Sequence, residues 1–357
     1  MTATERTTVL AVDFNGSAVT NAISARVSLG YDMGLGEASI EVAGPVPTSG
    51  SYYDDVTIVV NGVTWFSGIL TQFDYALFPR TVTLQCKGRM WLLQQYKLTG
   101  AVEKNEGLSL ADLMGGTSPT DENIVSAVLD RVGVSTNGGI IGGTGTVLGT
   151  VAPEEFAWRE GESALDFIQR IDSISLGYRT FETTGGQIFR AQVTTHPVSH
   201  SLTFTEGVDI AEGTSSRTIM DRYNAVRIGG YSVGDFADPR VWYESDADDF
   251  VTDPRVFTFS SSMIERRANS SPGSGISCEA MAGYWLAELN REVVKLTLTT
   301  PRNDDIGPGQ GHLVQGPGGV PIRLGTAERL WVQRVDKEYG SDGGIRQTMQ
   351  YLGGGVA

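Results

Sequence analysis

The stretch Val56-Thr-Ile-Val-Val-Asn61-Gly62-Val-Thr-Trp65-Phe-Ser-Gly68-Ile-Leu-Thr-Gln-Phe73-Asp-Tyr75, continued after a short loop around Pro79 by Thr81-Val-Thr-Leu-Gln-Cys86-Lys-Gly88, decides the fold class. Two runs of β-branched and aromatic residues flank Asn61-Gly62. Both residues of that pair tolerate φ > 0, so the pair predicts a tight hairpin turn. A third strand follows at once. Three consecutive strands make a meander, which must close into a barrel or pack on a second sheet to bury its apolar face.

The chain of 357 residues is long enough for two or three domains with their own cores. Its 45 Gly and 13 Pro, set among short apolar runs, favour many strands and turns over long helices. The class expected is β-rich α+β. With 27 basic and 42 acidic side chains the net charge is −15, which argues against a groove that neutralises phosphates and for a surface that repels nucleic acid. Cys86 and Cys278 are far apart, so neither a disulfide framework nor a metal-binding pair is expected, and both read as buried or half-buried thiols. The start, Met1-Thr-Ala-Thr-Glu-Arg6, lacks the basic-then-apolar pattern of a signal peptide, and no apolar run reaches the roughly 18 residues of a membrane span. A soluble chain made in the cytoplasm is expected.

Taken in order, Thr7 to Phe14, Ile23 to Leu29 and Glu37 to Val42 read as strands that join Val56 to Gly88 in a first domain over 1–97. From about Met90 the pattern changes to an α+β insert over 98–200. Ser118-Pro-Thr-Asp121 predicts a helix start, with serine as N-cap, and Ile124, Val125, Val128, Leu129 and Val132 share one face up to a stop at Gly133, giving a helix near 119–133. Glu162-Ser163-Ala-Leu165-Asp166 repeats the capping pattern. Leu165, Ile168 and Ile171 carry that helix to Gly177, and strands Tyr178 to Thr183 and Gln187 to Val193 follow through Gly185-Gly186, so helix plus hairpin occupy 162–193. A second β domain over 201–357 contains Leu202-Thr-Phe-Thr205, Asn224 to Gly230, Arg255 to Phe259, a helix over 278–291 with Met281, Trp285 and Leu289 in line, Val293 to Thr299, Leu313-Val314, Ile322 to Leu324, Leu330 to Val335 and Ile345 to Leu352. Thr83-Leu-Gln-Cys-Lys-Gly88 and Thr348-Met-Gln-Tyr-Leu-Gly353 share T-[LM]-Q-x-x-G, and each ends a strand pair that follows a tryptophan strand (Trp65, Trp331). These six positions suggest an internal duplication, with the second barrel like the first.

Several segments raise chemical readings. Gly138 to Gly149 is glycine-rich but has neither G-x-G-x-x-G in register nor a G-K-[ST] ending, and it reads as a mobile loop rather than a phosphate cradle. Gly230-Tyr-Ser232-Val-Gly234 matches the G-x-S-x-G nucleophile elbow after a strand. The following Asp235-Phe-Ala-Asp-Pro239 breaks the required helix, and only His312 lies downstream as a base. His196 and His200 have a metal-ligand spacing only on a helix, and Pro197 between them makes them loop histidines. The acidic run over 244–253, with Glu244, Asp246, Asp248, Asp249 and Asp253, lacks the glycine and terminal glutamate of a calcium loop and reads as a solvated loop. No carboxylate pair suited to glycoside hydrolysis stands out among the acidic residues. No catalytic, cofactor-binding or metal residue is therefore nominated, and no cofactor is expected. Trp242 and Tyr243 would favour a glycan-binding module if they stood exposed on a concave face.

The order of elements resembles a known family. The first domain, with its turn-rich hairpin, is similar to the tail-tube-like barrel that opens phage tail hub proteins. Phe156-Ala-Trp158-Arg-Glu-Gly161-Glu-Ser-Ala-Leu165-Asp-Phe-Ile-Gln-Arg-Ile171, with Leu176-Gly-Tyr-Arg-Thr-Phe181 and the Gly185-Gly186 hairpin, is similar to their helix-plus-hairpin segment. The Ala280 to Arg291 helix leading into Val293 to Thr300, then Ile306-Gly-Pro-Gly309 and a strand ending at Tyr351, resembles the second barrel of baseplate hubs, late-control proteins and the hub part of type VI secretion spikes. The resemblance implies two tail-tube-like barrels with a small α+β insert between them. It implies a homotrimer whose six similar barrels match the hexameric tail tube, or a distal tail protein, on one side and a threefold tip, central fibre or spike on the other, with DNA passing through the lumen without specific binding. No spike repeat or wall-degrading extension follows Ala357, so piercing or digestion would belong to another chain. A structural, non-enzymatic virion protein of the tail tip or baseplate hub is the expectation, with a virion-associated hydrolase or host-glycan-binding module as alternatives.

Overall fold

The structure is a computed structural model that describes residues 9–31, 35–44, 52–77, 80–99, 108–145, 157–193, 201–218, 223, 225–231, 241–245, 256–265, 278–290, 293–316 and 328–354. It is mostly antiparallel β-sheet with a minority of helix, the β-rich α+β class expected.

The first half contains β1 (Leu10–Phe14), β2 (Ser17–Val19), β3 (Ala22–Gly30), β4 (Glu37–Ala43), β5 (Asp55–Val60), β6 (Val63–Ala76) and β7 (Thr81–Lys87). Asn61 and Gly62 sit at φ of 50° and 81°, the paired left-handed conformations of the hairpin turn that the sequence predicts, and Asn15-Gly16 repeats the device at 46° and 81° between β1 and β2. β2 is too short to show in the apolar pattern and was not foreseen. Alternation sets which residues are buried: Val27 and Leu29, Ala38 and Ile40, Val82 and Leu84 point inward while their neighbours stay polar. Trp65 and Phe66 are almost wholly buried, and truncating either to Ala costs about 3–5 kcal/mol.

The second half contributes β10 (Leu202–Thr205), β11 (Glu212–Thr218), β15 (Val293–Thr300), β16 (Gly311–Gln315), β17 (Glu328–Tyr339) and β18 (Ile345–Gly354). It is joined to the first by direct pairing. β17 runs antiparallel to β3 from Arg334↔Gly30 to Tyr339↔Ala25. The strand order β11-β15-β18-β17-β3-β4-β7-β6-β5-β1-β2 therefore crosses both halves without a break. Their apolar faces merge as well: Leu296, Leu298, Val332, Met349 and Tyr351 share one buried cluster with Val27, Ile40, Trp65 and Leu84. The T-[LM]-Q segments occupy matching places. Thr83 and Gln85 lie in β7 beside the Trp65 strand, and Thr348 and Gln350 in β18 beside the Trp331 strand, each with polar residues outward and Leu84 and Cys86, or Met349 and Tyr351, inward.

A second apolar cluster is built from α1 (Met90–Gln95), α2 (Leu110–Met114), α3 (Asp121–Val132), α4 (Ala164–Ile174), the hairpin β8 (Tyr178–Glu182) and β9 (Ile188–Gln192), and the small sheet β13 (Val241–Ser245), β12 (Ala225–Tyr231), β14 (Val256–Glu265) with its helix α5 (Cys278–Asn290). Met90 and Leu93 from before residue 98, and Val226, Ile228, Met281 and Ala282 from after residue 200, pack with Trp158, Phe167 and Ile168 in this core. Trp158 stacks on Phe167 at 5.7 Å and donates its indole N–H to the Glu162 carbonyl.

Two local expectations change. α3 begins at Asp121 with Thr120 as N-cap and no side-chain capping bond, not at Ser118, because the Asp121 carboxylate is drawn into a buried ion network. Gly133 ends that helix at φ 76° as expected. α4 is capped by Ser163, whose hydroxyl accepts from the Asp166 amide. It stops at Ile174, and Leu176 and Gly177 make the left-handed turn into β8. Residues 138–145 of the expected mobile loop pair with β9. The Arg190 amide donates to the Ile140 carbonyl and the Gly142 amide to the Arg190 carbonyl, while Arg190, wholly buried, bridges Asp121 (2.9 Å), Asp172 (2.8 Å) and the Gly142 carbonyl (2.7 Å). A buried ion network of this kind adds little net stability, but removing one partner leaves a buried charge uncompensated and costs about 3–5 kcal/mol. The strand expected at Ile322 to Leu324 lies outside the described residues.

Candidate functional site

The sheet shared by the two halves has one face on the core and one face open. Because registers are known at every junction, the open face reads as rows. One row is Glu212, Thr299, Thr348, Asp336, Ser28, Glu37, Lys87 across seven strands. The next is Arg346, Glu338, Arg26, Ser39, Gln85, Gln72. A third is Ser24, Glu41, Thr83, Asp74. Every side chain in these rows is polar, and the first two rows run from one half into the other across the β17–β3 junction.

Charge on this face is paired in a particular way. Arg26 meets Glu338 (2.9 Å), Lys87 meets Glu37, Arg334 meets Asp336 (3.0 Å) and Arg346 meets Glu212 (3.1 Å). Ser28 donates to Asp336 (2.6 Å), Ser24 to Glu41 (3.3 Å) and Gln72 to Asp74 (2.7 Å). Among the described residues of this face, the one base without a carboxylate partner is Lys295, which stands exposed at the β11 margin opposite Ser216. Exposed ion pairs of this kind add little stability. Their consequence is chemical: the guanidinium and ammonium groups are already neutralised. A groove of about 510 Å³ crosses the face between Arg26, Glu37, Lys87, Glu338 and Arg346.

Behind the face, residues 301–309 tie the parts together. Asn303 accepts from the Trp65 indole (2.7 Å) and donates to the Val60 carbonyl (2.7 Å), Asp305 accepts from Thr184 (2.9 Å), and the Gly309 amide donates to the Val332 carbonyl (2.9 Å). Lys337 lies beneath this segment, 1% exposed, its ammonium 5.9 Å from the Trp65 ring centre. Neither Lys337 Nζ nor the Oε1 of its cross-strand neighbour Gln347 has a hydrogen-bond partner. Burial pushes the Lys337 ammonium down to about 7, against the pull of Asp305 and Asp304. At the other seam, the Glu182 carboxylate accepts from the amides of Arg89 (2.7 Å) and Met90 (3.4 Å), and burial pushes it up to about 7 against those bonds and the Arg89 charge. A Cβ on Gly88 would lie 2.0 Å from Glu182 Oε2, so only glycine admits this contact.

Among the described residues, those singled out from sequence are not gathered at one site. His312 is fully buried, its Nδ1 2.8 Å from the Tyr351 hydroxyl and its Nε2 3.3 Å from Gln310 Oε1, with Phe204 packed on its ring. Ser232, His196 and His200 lie outside the described residues, as do Asp246, Asp248, Asp249 and Asp253 of the acidic run. Trp242 and Tyr243 belong to β13 and pair with Ile228 and Arg227 of β12. Cys86 is a buried free thiol pushed up to about 12 by burial, and Cys278 opens α5. Among the described residues no group of three or more His, Cys, Asp or Glu is placed to hold a metal ion, and no helix is long and apolar enough to cross a membrane. The polar face itself was not foreseen. Strand alternation gave the outward residues of each strand, but only the β17–β3 pairing shows that they form one surface.

No protein-family model and no curated protein matches the sequence. Solved structures do. The chain is similar to a tail protein from Neisseria meningitidis MC58 (13% identity, TM-score 0.67, covering 97% of this chain and 96% of that one). It is also similar to the 43 kDa tail protein of prophage MuSo2 from Shewanella oneidensis (10%, 0.59, 96% and 96%). A third similar structure is a type VI secretion component of E. coli, itself structurally similar to T4 bacteriophage tail proteins (11%, 0.52, covering 95% of this chain and 76% of that one). The chain thus has the fold of the phage tail hub proteins, as the order of its elements suggested.

Proposed function

We propose that this chain is a structural protein of a phage tail, three copies of which form a ring at the tail tip or baseplate hub. The ring joins the hexameric tail tube, or a distal tail protein, to a threefold tip, central fibre or spike, and DNA passes through its lumen. The observation that carries this reading is the single polar sheet face that crosses the β17–β3 pairing from the first half of the chain into the second. A sixfold tube and a threefold tip need an adaptor. A chain with two similar halves presents six similar edges from three copies. Direct pairing of β17 with β3 fixes the two halves at one spacing, which such an adaptor requires.

The open face is the surface we assign to the lumen. A channel for DNA must be wetted and must not hold phosphates, because each phosphate neutralised by a protein cation adds affinity and slows passage. On this face the arginines and Lys87 are already paired with carboxylates, and Glu41 and Asp74 add negative charge. The role is one of shape and symmetry, with affinity residing in large interfaces. Light scattering on the purified chain, with negative-stain images of the same sample, tests the reading. A mass of three chains and a ring with a central hole support it, and a monomer that stays monomeric when mixed with tail-tube and tip proteins overturns it.

A further inference from the structure

Among the described side chains, the large aromatic ones that stand exposed are Tyr52 (61%), Tyr53 (65%) and Tyr75 (68%), and all three fall at one corner of the first half. Tyr75 stacks with Phe73 (6.5 Å), Tyr52 is edge-on to Phe73 (5.5 Å), and Tyr53 lies beside Trp91 (6.1 Å). Since Tyr52 and Tyr53 are consecutive, five rings follow one another across the corner. Phe73 is half-buried against the core and Trp91 half-buried on α1, so the outer tyrosines rest on a fixed base. A clustered surface of this kind marks a contact site.

The backbone is strained at the same corner. Tyr53 sits at φ 72°, fixed by its amide donating to the Leu70 carbonyl (2.8 Å) and by the Leu70 amide donating to the Asp54 carbonyl (3.0 Å). Among the described residues the other non-glycine positions at positive φ are asparagines, which tolerate it, and Leu176, which is half-buried at the turn into β8. Burial offsets little of the strain at Tyr53, whose ring is largely in water. What the turn achieves is to send two adjacent tyrosines to different ring partners, and strain held in this way points to presentation.

Charge and polarity select the partner. Next to the rings along the chain stand Asp54, Asp55 and Asp74 against Arg80 and Arg89, and Arg89 is already held by Asp55 (2.8 Å). With a net charge of −15, this corner repels phosphates, sulfates and uronates, so it lacks the basic groove that accompanies stacking platforms for nucleic acid. Four of the five rings carry a hydroxyl or an indole N–H. Gln94 and Gln95, three and four residues after Trp91 on α1, add exposed neutral donors and acceptors. A pyranose has a face of C–H bonds, which packs on the negative face of an aromatic ring, and a rim of hydroxyls, which needs neutral hydrogen-bonding groups.

We infer that this corner binds a neutral glycan chain, with successive sugars stacked along the row from Tyr75 to Tyr53 and their hydroxyls bonded by the tyrosine hydroxyls, Gln94 and Gln95. Phe73 and Tyr75 pair with Leu84 and Val82 on the core side of β6, while Gln72 and Asp74 point to the open polar face. The glycan site and the proposed channel wall therefore lie on opposite faces of the sheet, and the inference does not rest on the ring.

Saturation-transfer NMR on the full chain tests this, with soluble tetramers of β-linked glucose, mannose and N-acetylglucosamine as probes and a galacturonate tetramer as the anionic comparison. Transfer to the ring C–H protons of at least one neutral tetramer, and none to the galacturonate, is expected. Tyr53→Gly and Tyr75→Ser should each weaken that binding about tenfold. Neither should lower the thermal midpoint, because glycine is at ease at the φ of Tyr53 and the Tyr75 ring is exposed. Transfer to none of the neutral tetramers, equal transfer to the galacturonate, or binding that survives both substitutions overturns the inference. A corner that takes no tetramer but is shielded from surface labelling when tail proteins are added is a protein contact, and the inference falls with it.

Discussion

Replacing Lys337 by Met should stabilise the protein at neutral and acidic pH. The side chain is 1% exposed, and its ammonium has no hydrogen-bond partner. A fall from the ordinary 10.5 to about 7, at about 1.4 kcal/mol per factor of ten, amounts to about 5 kcal/mol against the charged form. Attraction to Asp305 and Asp304 is already contained in that figure. Methionine keeps the length of the stem and removes the charge, an exchange that gains about 1–4 kcal/mol in buried sites. The pH dependence has a definite sign. Below pH 7 lysine is charged in both folded and unfolded chains, so the full cost is present. Between 7 and 10.5 the unfolded chain binds more protons, so the stability of the parent rises with pH and the advantage of the variant shrinks. Unfolding entropy of about 2.1 cal/mol/K per residue over 357 residues converts that gain of about 1–4 kcal/mol into a midpoint shift of roughly 1–5 °C. Thermal melts of parent and Lys337→Met at pH 6, 8 and 10 measure this. A variant that melts below the parent at pH 6, or by a constant offset across the series, refutes the assignment of a buried unpaired ammonium.

Glu182 acts with the opposite slope. Its carboxyl is raised from 4.5 to about 7, so between these values the folded chain holds the proton that the unfolded chain has lost, and stability falls as pH rises through that window. Glu182→Gln should flatten this part of the profile, and melts at pH 5 and 7.5 that keep the parental slope would contradict it. Gly139→Ala should unfold the insert, because a Cβ there lies 1.9 Å from the Ile188 backbone oxygen. The check is loss of soluble protein or a midpoint lower by at least several degrees, whereas Gly62→Ala, strained only by its φ of 81°, should cost about 1 kcal/mol. Glu338→Lys with Glu37→Lys frees Arg26 and Lys87 from their carboxylates. The assembled variant should retain single-stranded or duplex DNA at 50 mM salt where the parent does not, with a salt slope that rises by about one per added phosphate contact.

Much of the fold was legible because short-range physics fixes it. Asn61-Gly62 can only be a tight turn, Ser163 a cap, Gly133 a left-handed stop, and alternation in β4, β7 and β18 sorts core from surface. The start of α3 was not legible, since Asp121 answers to Arg190, 69 residues away. The contacts of the Gly138 loop were hidden for the same reason: Gly139 and Gly142 approach the backbone of β9, far along the chain. The continuous polar face lay beyond local reading altogether. Arg26 and Glu338 are separated by 312 residues, and no periodicity in either strand announces the partner.

A density map of the assembled ring, or of the tail tip that contains it, tests the central claim most directly. The account predicts that the Arg26–Glu338 and Lys87–Glu37 pairs line an open central channel, with β17 and β3 side by side in its wall. A map in which that face is covered by a neighbouring protein, or points away from the axis, would contradict it.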